Sequence, residues 1–265
     1  MSGKWRIHST AIIDGSAEIA EDVVIGPFCC IGENVRIGAG TVLSARVDIV
    51  RDTIIGSNCQ IHSGSVIGGP PQDRKYKGEQ SYVVIGDNNI LREYVTIHRA
   101  TGEGKSTVVG SGNMIMAYAH VGHNCTIGNE ITIASYAGIS GHVVIEDNAN
   151  VGGICGFHQG SRIGRLAMIG GMSGVVRDIP PFMLASGPRA QVYGINVVGL
   201  RRAGVAKQVR EELNAAYRLL YRSNLNETQA LDAIESDIPS SPQLDYLVEF
   251  IRYRRDKGNG GRSFS

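Results

Sequence analysis

The sequence has no apolar run of about twenty residues, so no segment reads as a membrane-spanning helix. No apolar stretch follows Met1-Ser2-Gly3-Lys4-Trp5-Arg6 either, which leaves a soluble, cytoplasmic protein as the expectation. Net charge is close to nil, at +1 over 265 residues. Without a basic excess there is no electrostatic footprint for nucleic acid or for an anionic membrane surface. Proline is ordinary at 8 residues while glycine reaches 35. With 42% hydrophobic residues, that balance fits tight repeated turns better than disorder.

What the chain has is a repeat. Stepping by six from Ile7 gives Ile13, Ile19, Ile25, Ile31, Ile37, Leu43, Ile49, Ile55, Ile61 and Ile67, and the series runs on to Val175. It is broken only at Asp73, Glu79 and Glu103. Neither a 3.6-residue helix nor strand alternation produces a period of six; a parallel β-helix does, with three hexads per coil and residues eighteen apart stacked about 4.8 Å from each other. Glycine often follows the aliphatic residue, as at Gly26, Gly32, Gly38, Gly56, Gly110 and Gly128, where a sharp turn would demand it. The breaks predict two loops thrown out of the coil, near 69–83 and 99–107. The first is polar and carries Gln72-Asp73-Arg74-Lys75-Tyr76. Loops on a rigid scaffold often carry binding residues.

Four of five cysteines (Cys29, Cys59, Cys125, Cys155) share one phase, four residues after a core position, with Ala137, Ala149 and Ala167 in the same phase. They read as small buried fillers in reduced form, neither disulfides nor zinc ligands. Cys30 is out of phase and carries no assignment.

Beyond Arg177-Asp178-Ile179-Pro180-Pro181 the period stops, and a glycine-containing connection leads to helical sequence. Ala206 to Arg222 places Val209, Leu213, Ala216 and Leu220 on one face. A shorter helix is expected over 225–234, and Ser241-Pro242 offers an N-cap with proline at N1 for a last helix through Tyr253. The expected organisation is therefore a solenoid over 1–190, a small C-terminal α-helical domain over 191–257 and a disordered tail over 258–265.

Counted in steps of eighteen, His123, His142 and His158 fall within two residues of one another around the coil, outside the core phases, with His120 slightly earlier. Three imidazoles from successive coils at one corner favour a site, whereas His8, His62 and His98 read as structural or surface residues. Two chemistries compete. As metal ligands the imidazoles must converge to about 2.0–2.1 Å from one ion. The γ-class carbonic anhydrases do this on the same type of solenoid, with histidines five apart on one chain, a spacing that His120 and His123 do not match. As a general base, one neutral imidazole needs a substrate hydroxyl within reach. The turn Ser140-Gly141-His142 on the following coil adds an unhindered backbone N–H able to stabilise an oxyanion. Base plus oxyanion donor reads as acyl transfer to a hydroxyl or an amine.

The sequence closely resembles the UDP-N-acetylglucosamine O-acyltransferases that begin lipid A synthesis, members of the hexapeptide-repeat acyltransferases, over nearly its whole length. The pieces that carry the resemblance are Pro71-Gln72-Asp73-Arg74-Lys75-Tyr76, Thr96-Ile97-His98-Arg99, Ala119-His120-Val121-Gly122-His123-Asn124-Cys125 and Gly141-His142. His158-Gln159, Gly170-Gly171-Met172-Ser173-Gly174, Ile179-Pro180-Pro181, Gly194-Ile195-Asn196 and Gly199-Leu200-Arg201-Arg202 add to it. The related N-acyltransferase of the pathway shares a Gly-His-Asn turn but lacks Gly-His on the next coil and this C-terminal signature.

The repeat does not set handedness, and the rule for parallel crossovers favours right-handed winding. The resemblance implies the opposite, a mainly β, left-handed parallel β-helix. It also implies a homotrimer with sites between subunits, no cofactor, no metal, and as partners a 3-hydroxyacyl acyl carrier protein and UDP-N-acetylglucosamine. It makes His123 the base and Gly141 the oxyanion donor. Asp73, Lys75, His120, His142, His158 and Gln159 fall to substrate binding or positioning, and Asn196 with Arg202 to the nucleotide end. Gly171 falls at the end of the acyl groove, where a glycine leaves room for a longer chain. Arg162 and Arg165 are candidates for the carrier protein's acidic surface. Five positions depart from the family pattern: Asn124 for Asp after the base, Gly160 for Phe, Arg189 for His, Val198 for Glu and Ala203 for Arg. Those near the nucleotide and sugar leave a 3-amino acceptor as the alternative to a 3-hydroxyl, and Asn124 makes a catalytically silent scaffold conceivable.

Overall fold

The computed structural model describes residues 6–256; the tail expected to be disordered lies outside them. Each hexad forms one face of a triangular coil. The first face stacks strands from Ile12–Ile13 to Gly174–Val175, the second from Glu18–Ile19 to Arg162–Ile163, and the third from Val24–Ile25 to Met168–Ile169. Pairing within these strands is parallel and in register eighteen residues apart, as in Val121↔Ile139 and Ile127↔Ile145. The coils wind as a left-handed parallel β-helix.

The hexad aliphatics point inward and are buried from Ile25 to Val175. Each such side chain contributes about 1.5–3 kcal/mol by leaving water. The four in-phase cysteines are buried and free, and Cys30 is exposed. At most corners the third residue after the core position takes the sharp turn at positive φ, even where it is Tyr118 (61°), Tyr136 (62°) or Ile154 (59°). Outside glycine that conformation costs about 1–2 kcal/mol. The glycine directly after the aliphatic residue does not supply the turn, contrary to expectation. A Cβ on Gly122 would stand 2.9 Å from Ile139 O, and one on Gly26 2.8 Å from the Ser44 carbonyl carbon, so close approach of the next coil excludes a side chain there.

Both loops leave at the corner between the first and second faces. Ile55 pairs with Ile85 instead of residue 73, so the first loop adds two whole hexads. Ile85 pairs with Val109 instead of residue 103, so the second adds one.

The connection after Val175 is not a loop. Met183–Ser186 extends the third face in parallel with Met168–Ile169, and Gln191–Ile195 pairs antiparallel to it. Among the described residues four helices follow: α1 (Val197–Arg202), α2 (Lys207–Arg222), α3 (Glu227–Asp237) and α4 (Pro242–Asp256). Asn226 and Gln229 form a capping box on α3. At α4 the expected cap is absent: the Ser241 hydroxyl is buried without a partner, and Ser240 Oγ bonds Asp245 instead. Helix α4 is fastened to the second face by Glu146. Its carboxylate accepts from Arg162 Nε (2.6 Å) and from the Tyr246 hydroxyl (2.6 Å), while the Arg162 guanidinium lies 4.5 Å from the Phe250 ring centre. Arg165 stacks on Tyr246 at 4.6 Å. Arg162 is thus held to α4 by ionic and aromatic contacts, whereas Arg165 stacks on Tyr246 while remaining exposed.

Candidate active site

Three successive turns at the corner that bears the loops are Gly122-His123-Asn124, Ser140-Gly141-His142 and His158-Gln159-Gly160. The ladder stacks them, so His123 lies over Gly141 and then Gln159, and Asn124 over His142 and then Gly160. The His123 and His142 rings meet edge to face at 5.1 Å. His158 shares the corner but turns its Nδ1 toward Gln159 O at 3.1 Å, and it is exposed, as are Gln159 and Gly160.

His123 faces outward by phase, yet only 7% of it is exposed. Its Nδ1 lies 2.9 Å from Asn124 Oδ1, and Asn124 reaches Thr101 on the second loop. On the other side is Gly141: a Cβ there would land on the imidazole, 2.5 Å from Cε1 and 2.9 Å from Cδ2. The Gly141 N–H makes no hydrogen bond among the described residues. Nearby Cys125 is no competing nucleophile, because burial pushes its thiol up to about 12.

The first loop brings Asp73 and Lys75 to this corner. Asp73 Oδ1 accepts from the Lys75 N–H at 3.0 Å, which holds the carboxyl below the usual range, with His123 adding to the effect. Burial lowers the pKa of His142, the neighbouring His123 adds to this, and Asp73 opposes it. Both loops are tied down by Arg99, which is 5% exposed. It donates to Gly68 O (3.0 Å) and Tyr76 Oη (3.4 Å) and pairs with Asp52 at 3.4 Å. Burial alone would raise the Asp52 carboxyl, but hydrogen bonds from Asn34 and Arg51 and the charges of Arg51 and Arg99 outweigh it and hold it low.

His120 stands on the first face beside the corner, with Nδ1 2.9 Å from Thr96 Oγ1. His98, read from sequence as structural or surface, packs edge on against His120 at 5.2 Å and bonds Pro70 O at 2.7 Å. Its signal was the inserted hexad: once six residues are allowed for, Thr96 stacks on His120. Burial, then the His98 and His123 imidazoles, lower His120 from 6.5 to about 4. The folded protein therefore keeps His120 neutral while the unfolded chain takes up a proton below about pH 6.5. Stability from this site is complete above pH 6.5 and is lost as pH falls toward 4. Thermal melts at pH 7.5 and 5.0 check this: the acid-side drop in Tm should shrink in His120→Gln.

Asn196 and Arg202 lie elsewhere. They line a groove of about 660 Å³ with Asn148, Leu166, Val198 and Ala203, on the third face at its corner with the second. The Asn196 carboxamide is engaged within the chain: Nδ2 donates to Leu166 O (2.9 Å) and Oδ1 accepts from Gly199 N (3.0 Å), capping α1. Arg202 is exposed. Gly171 sits at the third corner, between the third and first faces, where a Cβ would meet Gly153 O at 3.3 Å. No group of three or more His, Cys, Asp or Glu among the described residues is placed to hold a metal ion. No helix among them is long and apolar enough to cross a membrane.

A left-handed coil of hexads, an imidazole with an acceptor behind it and a free backbone N–H one coil on define the class, a hexapeptide-repeat acyltransferase. A family model described as bacterial transferase hexapeptide (six repeats) matches residues 106–141, and one described as UDP N-acetylglucosamine O-acyltransferase, domain 2, matches 178–260. A third, for the GMPPB C-terminal domain, matches 1–101. The acyl-[acyl-carrier-protein]–UDP-N-acetylglucosamine O-acyltransferase of Thermodesulfovibrio yellowstonii is 52% identical over 93% of this chain and 96% of its own. That of Alkalilimnicola ehrlichii is 48% identical over the same shares. Among solved structures, LpxA from Acinetobacter baumannii is similar with a TM-score of 0.89 and 43% identity, covering 94% of this chain and 97% of its own. The UDP-N-acetylglucosamine acyltransferase of Bacteroides fragilis gives 0.90 and 39%, over 93% and 96%. The chain belongs to the UDP-N-acetylglucosamine O-acyltransferase family.

Proposed function

We propose that this protein transfers a (3R)-3-hydroxyacyl chain from acyl carrier protein to the 3-hydroxyl of UDP-N-acetylglucosamine, the first step of lipid A biosynthesis, with His123 as general base. The pairing of the His123 imidazole with the unbonded Gly141 N–H carries this reading. His123 takes the proton of the sugar hydroxyl as its oxygen attacks the thioester carbonyl. The N–H of Gly141 receives the oxyanion, and collapse expels the thiolate, which takes up a proton. Asp73, Lys75, His120, His142, His158 and Gln159 hold the sugar and the acyl head at the same corner. The alternative 3-amino acceptor is not favoured, since the relatives are O-acyltransferases by name.

The enzyme works as a homotrimer with sites between subunits. Asn196 and Arg202 lie at a different corner of the protomer from His123, so a neighbouring copy has to supply them for one site to hold both ends of a UDP-sugar. At the third corner Tyr94, Tyr118 and Tyr136 stack at 5.0 Å and continue into exposed Ile154 and Met172, an apolar ridge suited to such a contact. The free cysteines fit a reducing cytoplasm.

Along the first face, the outward positions following His120 are Gly138, Gly156 and Gly174. A Cβ on Gly138 or Gly156 would meet nothing within 4 Å, so packing within the protomer does not require glycine there. A strip without side chains suits an acyl chain, and Gly171 near its end leaves room for a long one. Mass spectrometry of products from UDP-N-acetylglucosamine and its 3-amino analogue, with carrier proteins bearing 3-hydroxyacyl chains of several lengths, tests the whole reading. The expected product is the 3-O-ester, from fourteen-carbon donors in preference to ten-carbon ones. A product from the amine alone would reassign the acceptor, and none from any pair would leave a silent scaffold.

A further inference from the structure

Asn124 takes the positive-φ corner of its turn (59°), a place where Asn is one of the few L-residues at ease. Its side chain does more than tolerate the turn. Oδ1 accepts from the Thr101 N–H at 2.9 Å and Nδ2 donates to the Thr101 C=O at 3.0 Å, so the carboxamide pairs with both main-chain groups of one residue of the second loop. A main-chain N–H can only donate and a C=O only accept, which fixes the amide's orientation: the flipped amide would set NH₂ against N–H and oxygen against oxygen. The atom 2.9 Å from His123 Nδ1 is therefore Oδ1, an acceptor with no proton to give. The imidazole proton must lie on Nδ1, and the lone pair of the neutral ring on Nε2, the ring atom that faces Gly141.

We propose that Asn124 is a positioning residue for acyl transfer: its clamp on Thr101 holds His123 as the Nδ1–H tautomer and couples the base to the 99–105 loop. The proposal rests on His123 being the general base. A carboxylate at 124 could accept from Thr101 N–H and from His123, but it would face the Thr101 carbonyl with no donor, oxygen against oxygen. It would also add a negative charge beside the ring and favour the imidazolium. The amide is thus matched to this loop: it orients the ring without charging its surroundings.

Three variants test this: Asn124→Gly, which keeps the backbone conformation and deletes the amide, Asn124→Asp, and His123→Ala as reference. Nitrogen-15 spectra of labelled histidine report the tautomer independently of turnover, and His123→Ala assigns the His123 signals by their loss. The wild type should show a protonated Nδ1 and a bare Nε2 on His123. Asn124→Gly should mix the tautomers, speed amide exchange at Thr101 and lower kcat by about tenfold or more with little change in KM. Asn124→Asp should move the acid limb of the pH–rate profile upward by roughly one unit. A wild-type tautomer and pH profile in both Asn124 variants, with His123→Ala inactive, would overturn the positioning role and leave the base standing. Wild-type turnover in His123→Ala would overturn both.

Discussion

His123→Ala loses about two to four orders of magnitude in kcat/KM, the range that a positioned general base supplies. The protein nevertheless stays folded, because His123 belongs to the corner and the inward hexad column, Val121, Ile127, Ile139 and Ile145, is untouched. The side chain is 7% exposed, so its removal leaves a small void under the loops and unties one hydrogen bond of Asn124. A loss of about 1–2 kcal/mol follows, a shift of a few degrees in Tm for a chain of this size. Steady-state kinetics beside a thermal melt check both halves. Collapse of the fold would make the imidazole structural; an unchanged rate would remove it from the chemistry.

Gly141→Ala is the second large effect, and it separates placement from donation. The backbone N–H survives the substitution, and Gly141 lies outside the positive-φ positions, so alanine is compatible with the chain path there. The new methyl group meets the His123 ring, which can swing because it is the end of a side chain. Swinging breaks the bond to Asn124 Oδ1 and carries Nε2 out of line with the attacked carbonyl. A displacement of about 1 Å at a reacting atom costs on the order of a hundredfold. We expect kcat/KM to fall by roughly 10²–10³ with Tm within a few degrees of wild type. Full activity in Gly141→Ala would show that the imidazole and this backbone do not act on the same reacting centre.

The coil was legible in the sequence because one inward side chain every six residues is a constraint that composition noise does not imitate. The corner position of His123 and His142 followed from counting alone, since the run from Val109 to Val175 has no insertion. His98 was missed for the converse reason: the inserted hexad between it and His120 breaks the count, and its partner, the Pro70 carbonyl, belongs to a loop whose path no period describes. The roles of Arg162 and Arg165 were hidden in the same way. Which aromatic covers a guanidinium depends on how α4 docks, and nothing in the hexads encodes that. The hairpin over Met183–Ser186 and Gln191–Ile195 escaped because its strands extend the third face after the six-residue rhythm has ended.

The two loops at the corner that bears His123 add whole hexads, and this makes the solenoid behave like a text with a reading frame. Because each insertion is a whole number of hexads, the count of six that starts at Ile7 still lands on the buried Ile85, Ile97, Val109 and Val175 beyond them. What a loop leaving and re-entering at one corner must keep is the pairing of the strands on either side of it, Ile55 with Ile85 and Ile85 with Val109. New recognition elements can be spliced in at this corner without disturbing the core, and each arrives already registered against the turn that bears His123.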